Sequence, residues 1–291
     1  MSRLTALRSL LYVPGNRERF FAKLGELRPD GVIFDLEDSV PMAEKPVARQ
    51  MVRAALAALD RTRLATFVRI NPTTSGLARA DLEAVACTEL DGLVVPKVDS
   101  SADVRLVAEW LDEIEPVAGL EQGRICLVAI LETVRGALNA IAIAAAEPRL
   151  LGLAFGAEDF SRDLGVERSP EGIETLYPRA HVALAARSMG LQAFDTPWTD
   201  IADTEGLRRE ARQGRQLGYT GKQVIHPSQI EIVHAAYRPS EAEVQWAQRV
   251  VDAYEQAVTR GLGAIQLDGK LIDVPMVERA RETLARAGGR A

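Results

Sequence analysis

The chain has 291 residues, 47% of them hydrophobic and 26% charged, with 35 Lys and Arg against 41 Asp and Glu for a net charge of −6. That length and composition suit one large folded domain with an appendage and exclude a disordered or low-complexity chain. The negative balance excludes a global positive field of the kind that gathers nucleic acid or an anionic membrane surface, leaving room only for a local basic pocket.

The two cysteines, Cys87 and Cys126, fit neither a disulfide framework nor a zinc pattern and read as packed thiols in a reducing compartment. Near the N-terminus the apolar run Leu10 to Val13 is too brief for a signal segment or a membrane span, so a cytoplasmic location is expected.

Eight short apolar runs follow one another along the chain: SLLYVPGN (9–16), GVIFDLED (31–38), ATFVRIN (65–71), GLVVPKV (92–98), CLVAILET (126–133), LGLAFGAED (151–159), QAFDTPW (192–198) and KQVIHP (222–227). They are continuous rather than alternating, the pattern of strands covered on both faces as in a parallel sheet. Between them, residues 45–59, 102–114, 138–146, 175–189 and 205–217 have helical periodicity and supply the crossovers that parallel strands need. The rhythm predicts an α/β fold, a (β/α)₈ TIM barrel over residues 1–235, in preference to a doubly wound open sheet.

Residues 236–291 read as a separate module. Ser240 and Glu243 form a capping box ahead of a stripe of Val244, Ala247, Val250, Val251 and Tyr254. Asp268 and Gly269 between apolar flanks predict a hairpin, and a last helix is expected over about 276–287. Helix, hairpin and helix together suggest a lid, or an arm that completes a neighbouring subunit's site.

If the eight runs are barrel strands, their carboxyl ends carry Asn16, Arg17, Asp35, Glu37, Asp38, Arg69, Asn71, Lys97, Glu132, Glu158, Asp159, Asp195 and His226. Active sites of this fold form at that rim. Adjacent strands bring Glu132 beside the Glu158–Asp159 pair, and a hard divalent cation such as Mg²⁺ relieves the repulsion; strand position alone does not choose between the two acids. His181, His226 and His234 lack H-x-x-x-H spacing, which disfavours zinc.

Arg69 and Glu37 stand as candidate catalytic residues of the rim. The Arg69 guanidinium suits a carboxylate or a developing oxyanion, and equally a structural pairing with Glu37 or Asp38. Lys97 is the rim's candidate for a Schiff base, a role that needs a depressed pKa. In PGNRERFFAK, the cations Arg17, Arg19 and Lys23 offer contacts to the phosphates of a large cofactor such as coenzyme A, and read as readily as a solvated helix start. No dinucleotide fingerprint, Walker loop or serine-hydrolase elbow appears.

Across LLYVPGN, VIFDLEDSV, VRIN, VVPKV, ILETVRGALN, FGAEDFSRDLG, GKQVIHPSQI and GKLIDVP the chain resembles the citrate lyase β-subunit-like branch of the HpcH/HpaI aldolase superfamily. The resemblance covers almost the whole length. It implies a TIM barrel with Mg²⁺ on Glu132 and Asp159, Arg69 on the substrate carboxylate or enolate, and an acyl-CoA thioester as substrate. Through members similar in the tail, the citramalyl-CoA and malyl-CoA lyases, it implies that Asp273 serves as acid/base for a neighbouring subunit in a homotrimer or dimer of trimers.

The reaction so implied is cleavage of a 3-hydroxyacyl-CoA of the citramalyl-, malyl- or citryl-CoA type to a 2-keto acid and a short acyl-CoA. Alternatives are a malyl-CoA thioesterase, a citrate lyase β subunit acting on citryl carried by acyl-carrier protein, and a noncatalytic protein that keeps the fold. The tail with GKLIDVP favours a free-standing enzyme over the complex-bound subunit.

Overall fold

A computed structural model describes residues 4, 5, 7–60, 62–259 and 261–288. Its strands are β1 (Ser9–Pro14), β2 (Gly31–Asp35), β3 (Ala65–Arg69), β4 (Gly92–Val95), β5 (Cys126–Leu131), β6 (Leu150–Phe155), β7 (Gln192–Asp195) and β8 (Gly221–Val224). They are parallel and close into one barrel, with Ser9 and Leu10 of β1 beside Lys222 and Gln223 of β8. Closure leaves no open edge and points all eight carboxyl ends the same way.

Alternate residues of each strand fill the interior. Leu10, Ile33, Phe67, Val94, Val128, Ala154 and Phe194 form one buried cluster, while Val13, Val32, Val68, Leu93 and Leu127 are buried from the other pleat. Burial on both pleats is why the strands read as continuous apolar runs. Gly15 lets β1 lean onto β2: a Cβ there would stand 2.6 Å from the Asp35 carbonyl oxygen, to which Gly15 N–H already donates at 2.8 Å.

Helices Lys45–Ala58, Ser101–Val117, Ile173–Ser188 and Thr204–Leu217 match four of the expected crossovers. The fifth is split into Val134–Leu138 and Ala140–Ala144, hinged at Asn139, whose amide donates to the Asp99 carbonyl. Helices Ala78–Val85, Ala157–Leu164 and Ile230–Tyr237 have no counterpart in the helical segments read from the sequence. The helix Ala157–Leu164 corrects the sixth run: β6 ends at Phe155, and Asp159 stands in a helix's first turn rather than at a strand end.

The chain divides into two compact units, one ending at His234 and one beginning at Ala235. In the second, Ser240 and Glu243 cap helix Glu241–Val258, and strands β9 (Ile265–Leu267) and β10 (Lys270–Ile272) pair antiparallel. Asp268 and Gly269 turn the hairpin at φ 51° and 77°, the left-handed pair a tight two-residue turn requires. Ala247, Val250, Val251, Ile272, Val277 and Ala280 make this unit's own core, so the stripe read from the sequence is its packed face.

Cys87 and Cys126 are unpaired thiols; burial pushes the Cys126 thiol up to about 12, which keeps it unreactive. Among the described residues no helix is long and apolar enough to cross a membrane.

Candidate active site

A cavity of about 330 Å³ opens at the carboxyl end of the barrel, bordered by Tyr12, Asp35, Arg69, Glu132, Asp159 and Gln223. Its floor is built by the inward pleat. Tyr12 and Gln223 occupy inward positions on β1 and β8, and the Tyr12 hydroxyl donates to Gln223 Oε1 at 2.8 Å. Gln223 in turn donates to the carbonyls of Phe155 and Asp195, which joins three strands across the floor.

Asp35 ends β2 and Arg69 ends β3, in register with each other. Arg69 grips Asp35 with both arms of its fork, Nε to Oδ1 at 2.7 Å and Nη2 to Oδ2 at 2.8 Å, and lies 4.9 Å over the Tyr12 ring. Burial alone would raise the Asp35 pKa, but the Arg69 charge, its paired hydrogen bonds and the Ser39 and Glu37 N–H groups hold it below the usual carboxylate range. The principal partner of Arg69 is therefore Asp35, and its remaining Nη1 reaches Glu37 Oε2 at 3.1 Å and Asp38 Oδ2 at 3.6 Å.

Glu37 is not on the cavity wall. Its Oε1 accepts from Lys97 Nζ at 2.7 Å, and Oε2 lies against Arg69 at ion-pair distance without a well-aligned hydrogen bond. It works on the cavity through those two cations. Burial first and the Asp38 charge second raise its pKa, against the opposing pull of Arg69 and Lys97.

Glu132 follows β5 directly and is 4% exposed. Its Oε1 accepts the Lys97 backbone N–H at 2.8 Å, and Oε2 has no hydrogen-bond partner among the described residues. Gly156 makes room for it: a Cβ at 156 would stand 2.7 Å from both Glu132 Cβ and Oε2. Burial, then the charges of Glu37 and Asp159, push the Glu132 carboxyl up to about 8.

Each other carboxylate bordering the cavity has a cation: Asp35 and Asp38 have Arg69, Glu158 has Arg168 and Asp159 has Arg162. Glu132 alone has none at ion-pair distance among the described residues. A bound divalent cation would favour the charged form of Glu132 against burial and offset the repulsion of Glu37 and Asp159, so the donors fit Mg²⁺, which takes one or two carboxylates and completes its shell with water and substrate oxygens. No group of three or more His, Cys, Asp or Glu among the described residues is arranged to hold a metal.

Arg168, unread in the sequence, donates to Glu158 and the Pro197 carbonyl, pairs with Glu210, and stacks 5.6 Å over Trp198. It supplies the cation that pairs with Glu158 and fastens the loops after β6 and β7 together. Lys97 keeps its ammonium bonded to Glu37, with a pKa raised by that pairing against the effect of burial. This is the reverse of what a Schiff base requires.

Besides Glu37 and Lys97, other rim residues also fall outside the cavity lining. Asp195 points from the outward pleat into a buried ion pair, held by Arg179 at 2.8 and 2.7 Å and by Lys222 at 3.3 Å. Asn71 donates to the Leu36 carbonyl and to Asp81, and His226 accepts from Ser228 N–H at the start of a short 3₁₀ turn. Arg17, Arg19 and Lys23 are exposed around the short helix Glu18–Phe21, with Arg19 over the Phe20 ring; among the described residues none has an ion-pair partner. Asp273 precedes helix Val274–Gly288 and accepts the Met276 N–H at 3.3 Å, a capping contact.

A closed parallel barrel with a carboxylate-lined mouth at its carboxyl rim is the architecture of a (β/α)₈ enzyme, and the family that its sequence matches makes it one of lyase type. Residues 8–227 match the family model for HpcH/HpaI aldolase/citrate lyase, and the chain belongs to that family.

Among its relatives is citrate lyase subunit beta of Escherichia coli, 42% identical over 96% of this chain and 93% of the relative. A (3S)-malyl-CoA thioesterase of Cereibacter sphaeroides is 39% identical over 96% of this chain and 94% of the relative. Of solved structures, protein CitE from Mycobacterium tuberculosis, in complex with magnesium, acetoacetate and coenzyme A, has a TM-score of 0.81 and 37% identity, covering 98% of this chain and 99% of that one. Because the citrate lyase subunit aligns over nearly this whole chain, the length of the tail does not set the chain apart from it.

Proposed function

We propose that the protein is a Mg²⁺-dependent carbon–carbon lyase that cleaves a 3-hydroxyacyl-CoA of the citramalyl-, malyl- or citryl-CoA type to a 2-keto acid and a short acyl-CoA. The observation that carries this reading is Glu132, a buried carboxylate beside Asp159 that among the described residues has one oxygen without a hydrogen-bond partner and no cation at ion-pair distance. Magnesium, coenzyme A and a keto acid occupy the related mycobacterial protein, which supports the same class of ligands here.

Glu132 and Asp159 would hold the ion, which when bound supplies electrostatic stabilisation of negative charge developing on substrate oxygen. Arg69, fixed by Asp35, orients a substrate carboxylate from the opposite side of the cavity, with Glu37 holding its third nitrogen in place. Asp273 of a neighbouring subunit takes the substrate hydroxyl proton, the new carbonyl forms as the bond to the thioester α-carbon breaks, and that bond's electron pair passes into the thioester enolate. Asp273 of a neighbouring subunit returns a proton to that carbon, while Arg17, Arg19 and Lys23 meet the coenzyme A phosphates. On this reading residues 1–235 form the catalytic barrel and 236–291 the arm that serves a homotrimer or dimer of trimers.

The test is a panel of malyl-, citramalyl-, β-methylmalyl- and citryl-CoA with Mg²⁺, followed by product analysis. Keto acid and acyl-CoA are expected, and chelation of the metal should stop their release. Free coenzyme A with an intact hydroxy acid would replace the reading by a thioesterase, the activity that the Cereibacter relative's name carries. Turnover confined to citryl on an acyl-carrier protein would make the chain a citrate lyase subunit. Asp273→Asn should lower kcat about 10²-fold with Mg²⁺ affinity intact by calorimetry; lost metal binding would show that the residue belongs to the metal site instead.

A further inference from the structure

Lys97 is one of two non-glycine residues with positive φ among the described residues, at 52°, and unlike Asp268 it is not in a hairpin turn. A left-handed lysine between β4 and helix Ser101–Val117 is sterically costly, and such strain persists where the surroundings enforce it. The conformation has a definite result. It directs the side chain to Glu37 Oε1 at 2.7 Å, from a backbone whose N–H donates to Glu132 Oε1, 2.8 Å away.

The geometry points to Lys97 as the positioning residue of the metal site, its strained backbone fixing the carboxylate of Glu132 while its ammonium fixes Glu37 beside Arg69. The inference rests on the metal-dependent reading above and assigns the two halves of one residue to different tasks. With Oε1 held by the Lys97 amide and the opposite side of the carboxylate lying over Gly156, Glu132 keeps a single orientation and Oε2 stays available as a donor. With Glu37 Oε1 held by the ammonium, Arg69 retains its alignment between Asp35 and Glu37.

Five variants, Lys97→Ala among them as a substitute for Lys97→Val, separate the tasks. Lys97→Gly removes the ammonium and accepts a left-handed backbone, whereas Lys97→Val removes the ammonium and resists that backbone. Titration of metal-free protein with Mg²⁺ by calorimetry should show Lys97→Val binding about tenfold or more weakly than Lys97→Gly, the usual size of a supporting-residue effect on a metal site. Should Lys97→Val fail to fold, Lys97→Ala makes the same comparison with a smaller gap. Lys97→Met keeps the stem without the charge and should lower kcat with Mg²⁺ affinity nearly intact; Lys97→Arg should restore part of that loss.

Equal Mg²⁺ affinity in folded Gly and Val (or Ala) variants would overturn the backbone role, and unchanged kcat in Lys97→Met would overturn the ammonium role. Wild-type protein that binds Mg²⁺ but releases keto acid from none of the thioesters sinks the lyase reading and leaves the affinity comparison standing. Protein that binds no Mg²⁺ sinks both.

Discussion

Two buried carboxylates at the ends of barrel strands behave in opposite ways. Asp195 and Glu132 are both almost wholly removed from solvent, yet the first is held down to about 2 and the second pushed up to about 8. Burial raises both; partners make the difference. Asp195 faces outward, where the Arg179 and Lys222 charges and a two-pronged guanidinium bond outweigh desolvation. Glu132 faces the cavity with one amide, two neighbouring acids and, among the described residues, no ion-pair partner. A buried acid whose charge the fold satisfies is structural, and one left unsatisfied marks where a ligand's charge belongs.

The largest effect expected from breaking this contrast is Glu132→Ala, which should lower turnover on the order of 10³-fold and abolish Mg²⁺ binding. Thermal unfolding of the metal-free variant should be no worse than wild type, since an unsatisfied acid is removed; undiminished turnover would end the assignment. Arg179→Met should do the reverse, costing about 3–5 kcal/mol in denaturant unfolding because Asp195 loses its main partner, while Mg²⁺ affinity of the folded protein holds. A stability equal to wild type would mean that Lys222 suffices.

Gly156→Ala sharpens the comparison without touching a charge. Its methyl group would press on Glu132 and should weaken Mg²⁺ binding about ten- to hundredfold, read by calorimetry on metal-free protein. The smallest effect is with pH. A folded pKa near 2 lies below the unfolded value of about 3.9, so Asp195 contributes stability in full above about pH 4 and loses it as pH falls toward 2. The stability gap between wild type and Arg179→Met, followed by denaturant unfolding, should therefore narrow across that window; a constant gap would detach it from Asp195 ionisation.

Much of the fold was legible because continuous apolar runs, a capping box and Asp268–Gly269 are local signals that survive in one sequence. The site was legible in part. Strand ends pointed to Asp35, Arg69 and Glu132, but the same reasoning admitted Asp195 and His226, because it did not track the pleat. Phe194 lies in the interior cluster, which sends Asp195 to the other face. Counting inward positions by alternation would have excluded Asp195 and found Tyr12 and Gln223. The two-armed Asp35–Arg69 pairing, the Arg168 clamp and the left-handed backbone of Lys97 have no short-range signature, since each depends on segments joined only by the closed barrel.

The empty space at Gly156 also orders the substitutions through which such a site can be reached. A chain with a side chain at 156 cannot seat a glutamate at 132 as it sits here, because the Cβ would stand 2.7 Å from its carboxylate. The glycine has to come first, or together with the acid. Anyone grafting this metal site onto another barrel inherits the same sequence of moves: clear the end of the sixth strand, then install the acid at the end of the fifth.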